Sequence, residues 1–183
     1  MILRSLSCLA LVAAAFIAGC SPSAAPTDRP PVTEHAGEPD AAGKKYMLDR
    51  EPAGTKGVID VRKAAKDGDE VVVVGKIGGQ DDPWYARQAA FTIVDPSIPS
   101  CLDTGDDCKT PWDYCCAPKE DLTRGMMSVK LVDDQGKVVA GDARKLLGLR
   151  ELNTVVAKGK YRQEGDSFVV HATAVYVRPD AKK

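Results

Sequence analysis

Val71-Val72-Val73-Val74, continued through Gly75 and Lys76 to Ile77, is the stretch that most narrows what this chain can become. Branching at Cβ fixes χ1 and crowds a helix, whereas an extended strand packs such side chains without that loss. The run predicts a strand, and Gly75 inside it predicts a bulge or a sharp bend. Just before it, Asp67-Gly68-Asp69 reads as a turn that ends a helical pattern over Val58–Ala65, where Val58, Val61 and Ala65 share one side.

The β pattern then recurs. Ala89–Asp95 sets Phe91 and Ile93 against Thr92 and closes at Pro96, and Met127–Asp133 sets Met127, Val129 and Leu131 against Ser128 and Lys130. Thr154–Arg162 and Ser167–Val177 follow, joined as a hairpin by Gln163-Glu164-Gly165-Asp166. Asp142 can cap a short helix over Ala143–Leu149. A chain of 183 residues has room for one domain with extensions. The expectation is a mainly β domain over residues 46–179, with five strands and one or two short helices.

Five strands with a helix between the third and fourth, and a glycine-bent first strand able to serve two sheet edges, resemble the OB-fold, a small Greek-key barrel. Gly68–Ile77 and Asn153–Lys160 look like the first and fourth strands of bacterial members of that fold. The resemblance covers most of residues 56–178 and implies a five-stranded barrel. A β-sandwich or an open meander accounts for the same alternation, and a fold of this kind does not by itself supply a function.

The N-terminal segment belongs to processing. Arg4 gives a short charged start, Leu9–Ala18 is apolar but too short to span a bilayer, and the run ends in Ile17-Ala18-Gly19-Cys20. That ending resembles the lipobox of bacterial lipoproteins. The resemblance implies removal of residues 1–19, a diacylglyceryl group such as palmitate chains on Cys20, and export. The chain would then be held by lipid at the cell membrane or outer membrane, with its domain in the periplasm or extracytoplasmic space; Ser21 in place of Asp gives no obvious inner-membrane retention signal. Residues 20–45 carry Pro22, Pro26, Pro30, Pro31 and Pro39 with Val32 as the one large aliphatic side chain, so they read as a disordered tether in which His35 is solvated. Residues 180–183 are a short tail.

Between the second and third strands lies a 31-residue insertion, residues 96–126, holding Cys101, Cys108, Cys115 and Cys116. Hairpin connections usually run about 2–5 residues, so this one is functional or locally braced. With Cys8 removed and Cys20 lipidated, an even set of four cysteines remains where disulfides are permitted. Disulfides in which Cys101 and Cys108 each bond one member of the adjacent pair are the leading expectation, since a Cys115–Cys116 bond closes a strained ring. A soft-metal site for zinc or copper is the second, although the spacing differs from the paired cysteines of zinc ribbons. A reactive dithiol is the third.

Other groups carry less. Asp103, Asp106, Asp107 and Asp113 lack the spacing of a calcium loop and read as a solvated acidic run. Two histidines, His35 and His171, give histidine-based catalysis almost no material, and no residue stands out as catalytic. Trp84 and Tyr85, with Trp112 and Tyr114, offer a possible contact patch. A net charge of −1 argues against a nucleic-acid partner. The sequence thus favours a lipid-anchored module binding an unidentified envelope protein or small ligand, with no cofactor expected unless zinc or copper binds the cysteines. The alternatives are a metal-binding or metal-delivery lipoprotein and an extracytoplasmic redox protein or hydrolase.

Overall fold

The valine-rich run and the alternating segments become strands of a six-stranded mixed sheet. The computed structural model describes residues 37–179. The expected signal segment, Cys20, His35, the first part of the tether and the C-terminal tail lie outside the described residues.

In chain order the elements are β1 (Lys56–Gly57), α1 (Val58–Ala64), β2 (Glu70–Ile77), β3 (Ala90–Val94), α2 (Cys101–Thr104), α3 (Lys119–Gly125), β4 (Met126–Leu131), α4 (Ala143–Leu147), β5 (Thr154–Glu164) and β6 (Ser167–Val177). The strands lie in the order β1-β2-β3-β4-β6-β5, and β2 also pairs with β5. β1 joins β2 in parallel and β4 joins β6 in parallel; the remaining pairings are antiparallel. The described residues are mainly β, as expected, but with six strands rather than five and four short α-helices rather than one or two. The extra strand has two residues, too few for any periodicity to show. The extra helices, α2 and α3, lie inside the insertion.

Gly75 does not mark a bulge. Val74 pairs with Val156 and Gly75 with Val155 without a break, while only Lys76 and Ile77 reach β3. The glycine is needed because a Cβ there would lie 2.7 Å from Ile93 Cβ. The bulge falls instead between Lys158 and Gly159, where the pairing with β6 skips Thr173. It changes which side of β6 faces inward: Val170 and Ala172 join the core before it and Val175 after it. Strict alternation along the strand would set Val169, His171, Thr173, Val175 and Val177 on one face, and the bulge breaks that face in two.

Phe91, Ile93, Val129, Leu131 and Val155, all fully buried, meet in the main core, against which α1 sets Val58 and Val61 and α4 sets Leu146 and Leu147. The carboxylate of Asp95, at the end of β3, is 5% exposed and accepts hydrogen bonds from Ile59 N (2.8 Å), Ser97 N (2.9 Å) and Ser97 Oγ (2.7 Å). It ties the first turn of α1 to the start of the insertion. The insertion's two ends are themselves joined, Asp95 N donating to Gly125 O at 2.8 Å.

Two residues of the expected tether, Asp40 and Gly43, touch α4. Asp40 N donates to Leu146 O at 3.2 Å, and a single turn of 3-10 helix over Lys44–Tyr46 buries Tyr46. The end of the proline-rich stretch is thus part of the folded unit, seated on α4. Among the described residues, no helix is long and apolar enough to cross a membrane.

Candidate metal centre

Ser100 and Asp103 start the site. They form a capping box, Asp103 Oδ2 accepting from Ser100 N at 2.9 Å and Ser100 Oγ accepting from Asp103 N at 3.4 Å, and this opens α2 with Cys101 as its first residue. Gly105, at φ 79°, ends the helix after one turn. Lys76 of β2 then holds the helix to the sheet through a 2.6 Å ion pair with Asp103.

The other three cysteines are placed by Asp113 and Tyr114. Asp113 accepts from Thr110 Oγ1 at 2.6 Å and from Cys115 N at 2.8 Å, which closes the loop just ahead of the adjacent cysteines. Tyr114 takes a left-handed φ of 59° and is fully buried against Val94 and Ile98 in a second, smaller core. Gly79 N donates to Trp112 O at 2.8 Å, and a Cβ on Gly78 would stand 2.4 Å from that oxygen. The backbone therefore enters the adjacent pair with its direction reversed and its side chains turned toward α2.

The four Sγ atoms of Cys101, Cys108, Cys115 and Cys116 all lie within 4.8 Å of one another. Cys115 is 3.4 Å from Cys108, 3.6 Å from Cys101 and 3.8 Å from Cys116, and Cys108 is 3.7 Å from Cys116. No disulfide joins them, which corrects the leading expectation. Bonding in pairs would give each sulfur one partner at about 2 Å; Cys115 instead has three neighbours at nearly equal distance. The four cysteines can hold a metal ion.

Their protonation follows from crowding. Burial pushes the Cys101 thiol up, but a backbone hydrogen bond from Cys116 and the neighbouring thiols outweigh it and hold the group below its ordinary value. The Cys115 side chain pushes Cys108 up to about 11. Cys115 is pulled down by Cys108 but raised more by Cys101, Asp113 and Cys116, to about 12, and Cys108 drives Cys116 to about 12. Cys101 is thus the thiol the cluster favours losing its proton, while hydrogen bonds among the thiols keep the other three protonated.

Of the four aromatic side chains expected to offer a contact patch, one is not at the surface. Tyr114 is core, and burial raises its phenol well above the ordinary range while its Oη has no hydrogen-bond partner. Trp84 packs on Phe91 at 6.0 Å between ring centroids and donates to Glu151 Oε1 at 2.6 Å. Tyr85 Oη and Ser128 Oγ are 2.7 Å apart, and Trp112 Nε1 donates to Asp81 O at 2.9 Å. His171 Nε2 sits 2.8 Å from Glu164 Oε1, away from the cysteines on β6. Leu102, which the sequence did not single out, is 42% exposed on α2, next to Cys101.

Comparison with protein families finds no match, and no curated protein is similar to the chain. A solved structure of the hypothetical protein ygiW from E. coli is similar over 69% of this chain and 94% of that one, with 13% identity and a TM-score of 0.36. A likeness at that score says nothing about what this chain does.

Proposed function

We propose that the four cysteines bind one soft, tetrahedral cation, zinc(II) or copper(I), and that this centre fixes the loop on an OB-like barrel held at an envelope membrane by lipid on Cys20. The sulfur spacing carries the reading. A zinc–thiolate bond of about 2.3 Å implies sulfur–sulfur edges of about 3.8 Å in a tetrahedron; the distances around Cys115 run from 3.4 to 3.8 Å. Binding would draw off the protons that mutual crowding retains, so affinity would fall as pH is lowered. Four thiolates around zinc leave a charge of about −2, which suits an exposed site better than a dry one.

The barrel and the anchor rest on separate support. The chain of pairings β2–β3, β3–β4, β4–β6, β6–β5 and β5–β2 returns to its starting strand, with α4 between β4 and β5, in keeping with the OB-like order. Ile17-Ala18-Gly19-Cys20 supports lipidation and export, and two or more acyl chains make an anchor durable where one does not.

The test is metal analysis of protein purified under reductant without chelator. The reading requires about one equivalent of zinc or copper, lost in Cys101→Ser, and, after cobalt(II) replacement, the intense visible bands of tetrahedral thiolate coordination. Four free thiols in protein that takes up neither zinc, copper nor cobalt would overturn it.

A further inference from the structure

We propose that the cysteine cluster is a hand-off site, where a thiolate on a second molecule enters beside Cys116 and takes the cation by stepwise ligand exchange. The proposal rests on the metal reading above. A four-cysteine site has every coordination position filled, so an incoming donor must displace a ligand already there. Here the ligands differ in access: Cys101 is buried, Cys108 is half-buried, and Cys115 and Cys116 are exposed. An entering donor can therefore reach one edge of the tetrahedron without unfolding the loop.

The structure also supplies the place of entry. A cavity of about 150 Å³, lined by Ile98, Pro99, Thr104, Cys116, Pro118 and Arg124 among others, opens directly beside Cys116. It is large enough for a thiol side chain and carries the Arg124 guanidinium, which is paired with Asp121 at 2.7 Å on the same lining. Leu102, the exposed large hydrophobic residue among those described, stands on the same short helix as Cys101 and gives an arriving molecule an apolar contact beside the ligands. The cavity thus adjoins the exposed ligand Cys116, and Leu102 stands one residue from the buried ligand Cys101.

The exchange balances without redox change. The incoming sulfur forms a bond to the cation as the bond to Cys116 Sγ breaks, and Cys116 takes a proton from solvent. Cys115 and Cys108 follow in the same way, and buried Cys101 is released last. The cation keeps its charge throughout, and the acceptor ends with the thiolates that replaced those of this chain.

The test uses the zinc-loaded chain and an anionic small dithiol, dimercaptopropanesulfonate, as the acceptor, with zinc transfer followed in time. The rate should rise in proportion to dithiol concentration. It should fall about tenfold in Pro99→Trp, which places an indole at the cavity rim, while zinc stoichiometry is unchanged. Arg124→Glu, an exposed change in α3, should slow the anionic acceptor by a similar factor. Zinc that is bound but leaves at a rate independent of dithiol, or at the same rate in both variants, would overturn the hand-off and leave the metal reading standing. Failure to bind zinc, copper or cobalt at all would overturn both.

Discussion

Lys76 Nζ and Asp103 Oδ2 meet at 2.6 Å, joining the C-terminal end of β2 to the one-turn helix that presents Cys101. The pair spans the sheet and the cysteine loop, and Asp103 also caps its own helix. Burial works to raise its carboxyl, yet the hydrogen bonds from Lys76 and Ser100 prevail and hold it at about 2.

Lys76→Met removes the ion pair and leaves the cap. With the two side chains 22% and 42% exposed, global stability should fall by less than about 1 kcal/mol. Local opening should change more: limited proteolysis followed by mass spectrometry should cut residues 101–107 faster than in the parent. Equal rates would mean that the capping box alone seats α2.

Removing the metal should loosen one region only. A chelator should speed amide exchange in residues 96–126 while the strands keep their protection, because the main core draws on all five longer strands and not on the cysteines. Residues packed in the smaller core with Tyr114 should be the slowest of the loop to open. Loss of protection in β5 and β6 on chelation would show that the metal holds the whole fold.

Gly75→Ala should destabilise the sheet by about 1–3 kcal/mol, the usual cost of forcing an extra methyl into a packed core. The added Cβ would meet Ile93 at 2.7 Å, on a strand that cannot yield easily between two partners. Urea denaturation measures it. An unchanged midpoint would mean that β3 shifts freely at that point.

Glu164 sets an acid-side dependence. Lys130 hydrogen-bonds its carboxyl and holds it below the ordinary value of 4.5 despite partial burial, with His171 adding a further bond. A depressed carboxylate contributes stability that is full above its unfolded value and is lost as pH falls through the lower folded one. Stability should therefore decline below about pH 4.5, and Glu164→Gln should flatten part of that decline. The side chain is 39% exposed, so the difference should stay under about 1 kcal/mol. Parallel pH profiles would place the dependence elsewhere.

On the proposed lipid anchoring, Cys20→Ala should release the chain from the membrane fraction, since acyl chains contribute about 0.8 kcal/mol per buried methylene. Membrane association that persists in this variant would place the anchor at another position.

The strands were legible because their chemistry is local. Four valines in a row, the alternation around Phe91 and Val129, and Asp142 before α4 each state their conformation within a few residues. What escaped depends on distant partners. β1 exists through its pairing with Val73 and Val74, and the bulge at Gly159 answers to the approach of His171 O, to which a Cβ there would come within 2.0 Å. The cysteine cluster was named in the sequence as a metal site but ranked below disulfides for the same reason. Gaps of six, six and no residues look unlike a metal motif; only the left-handed turn at Tyr114, anchored by Trp112 on Gly79, brings the adjacent pair back toward Cys101. Ser100 followed by Asp103 was a readable helix start that the surrounding prolines obscured.

The hydrogen bond from Asp95 N to Gly125 O means that everything between β3 and β4 leaves and returns through a doorway one peptide wide. Val94 and Met126 are already paired across that doorway, so a host hairpin needs no change of register to accept the segment. The residues between that doorway's two sides leave and return like a cassette, and a short turn in their place would keep the β3–β4 register while depriving Lys76, Gly79 and Val94 of their partners in the loop. In the history of such a chain, the sheet and the thiol-bearing loop could have been acquired at different times.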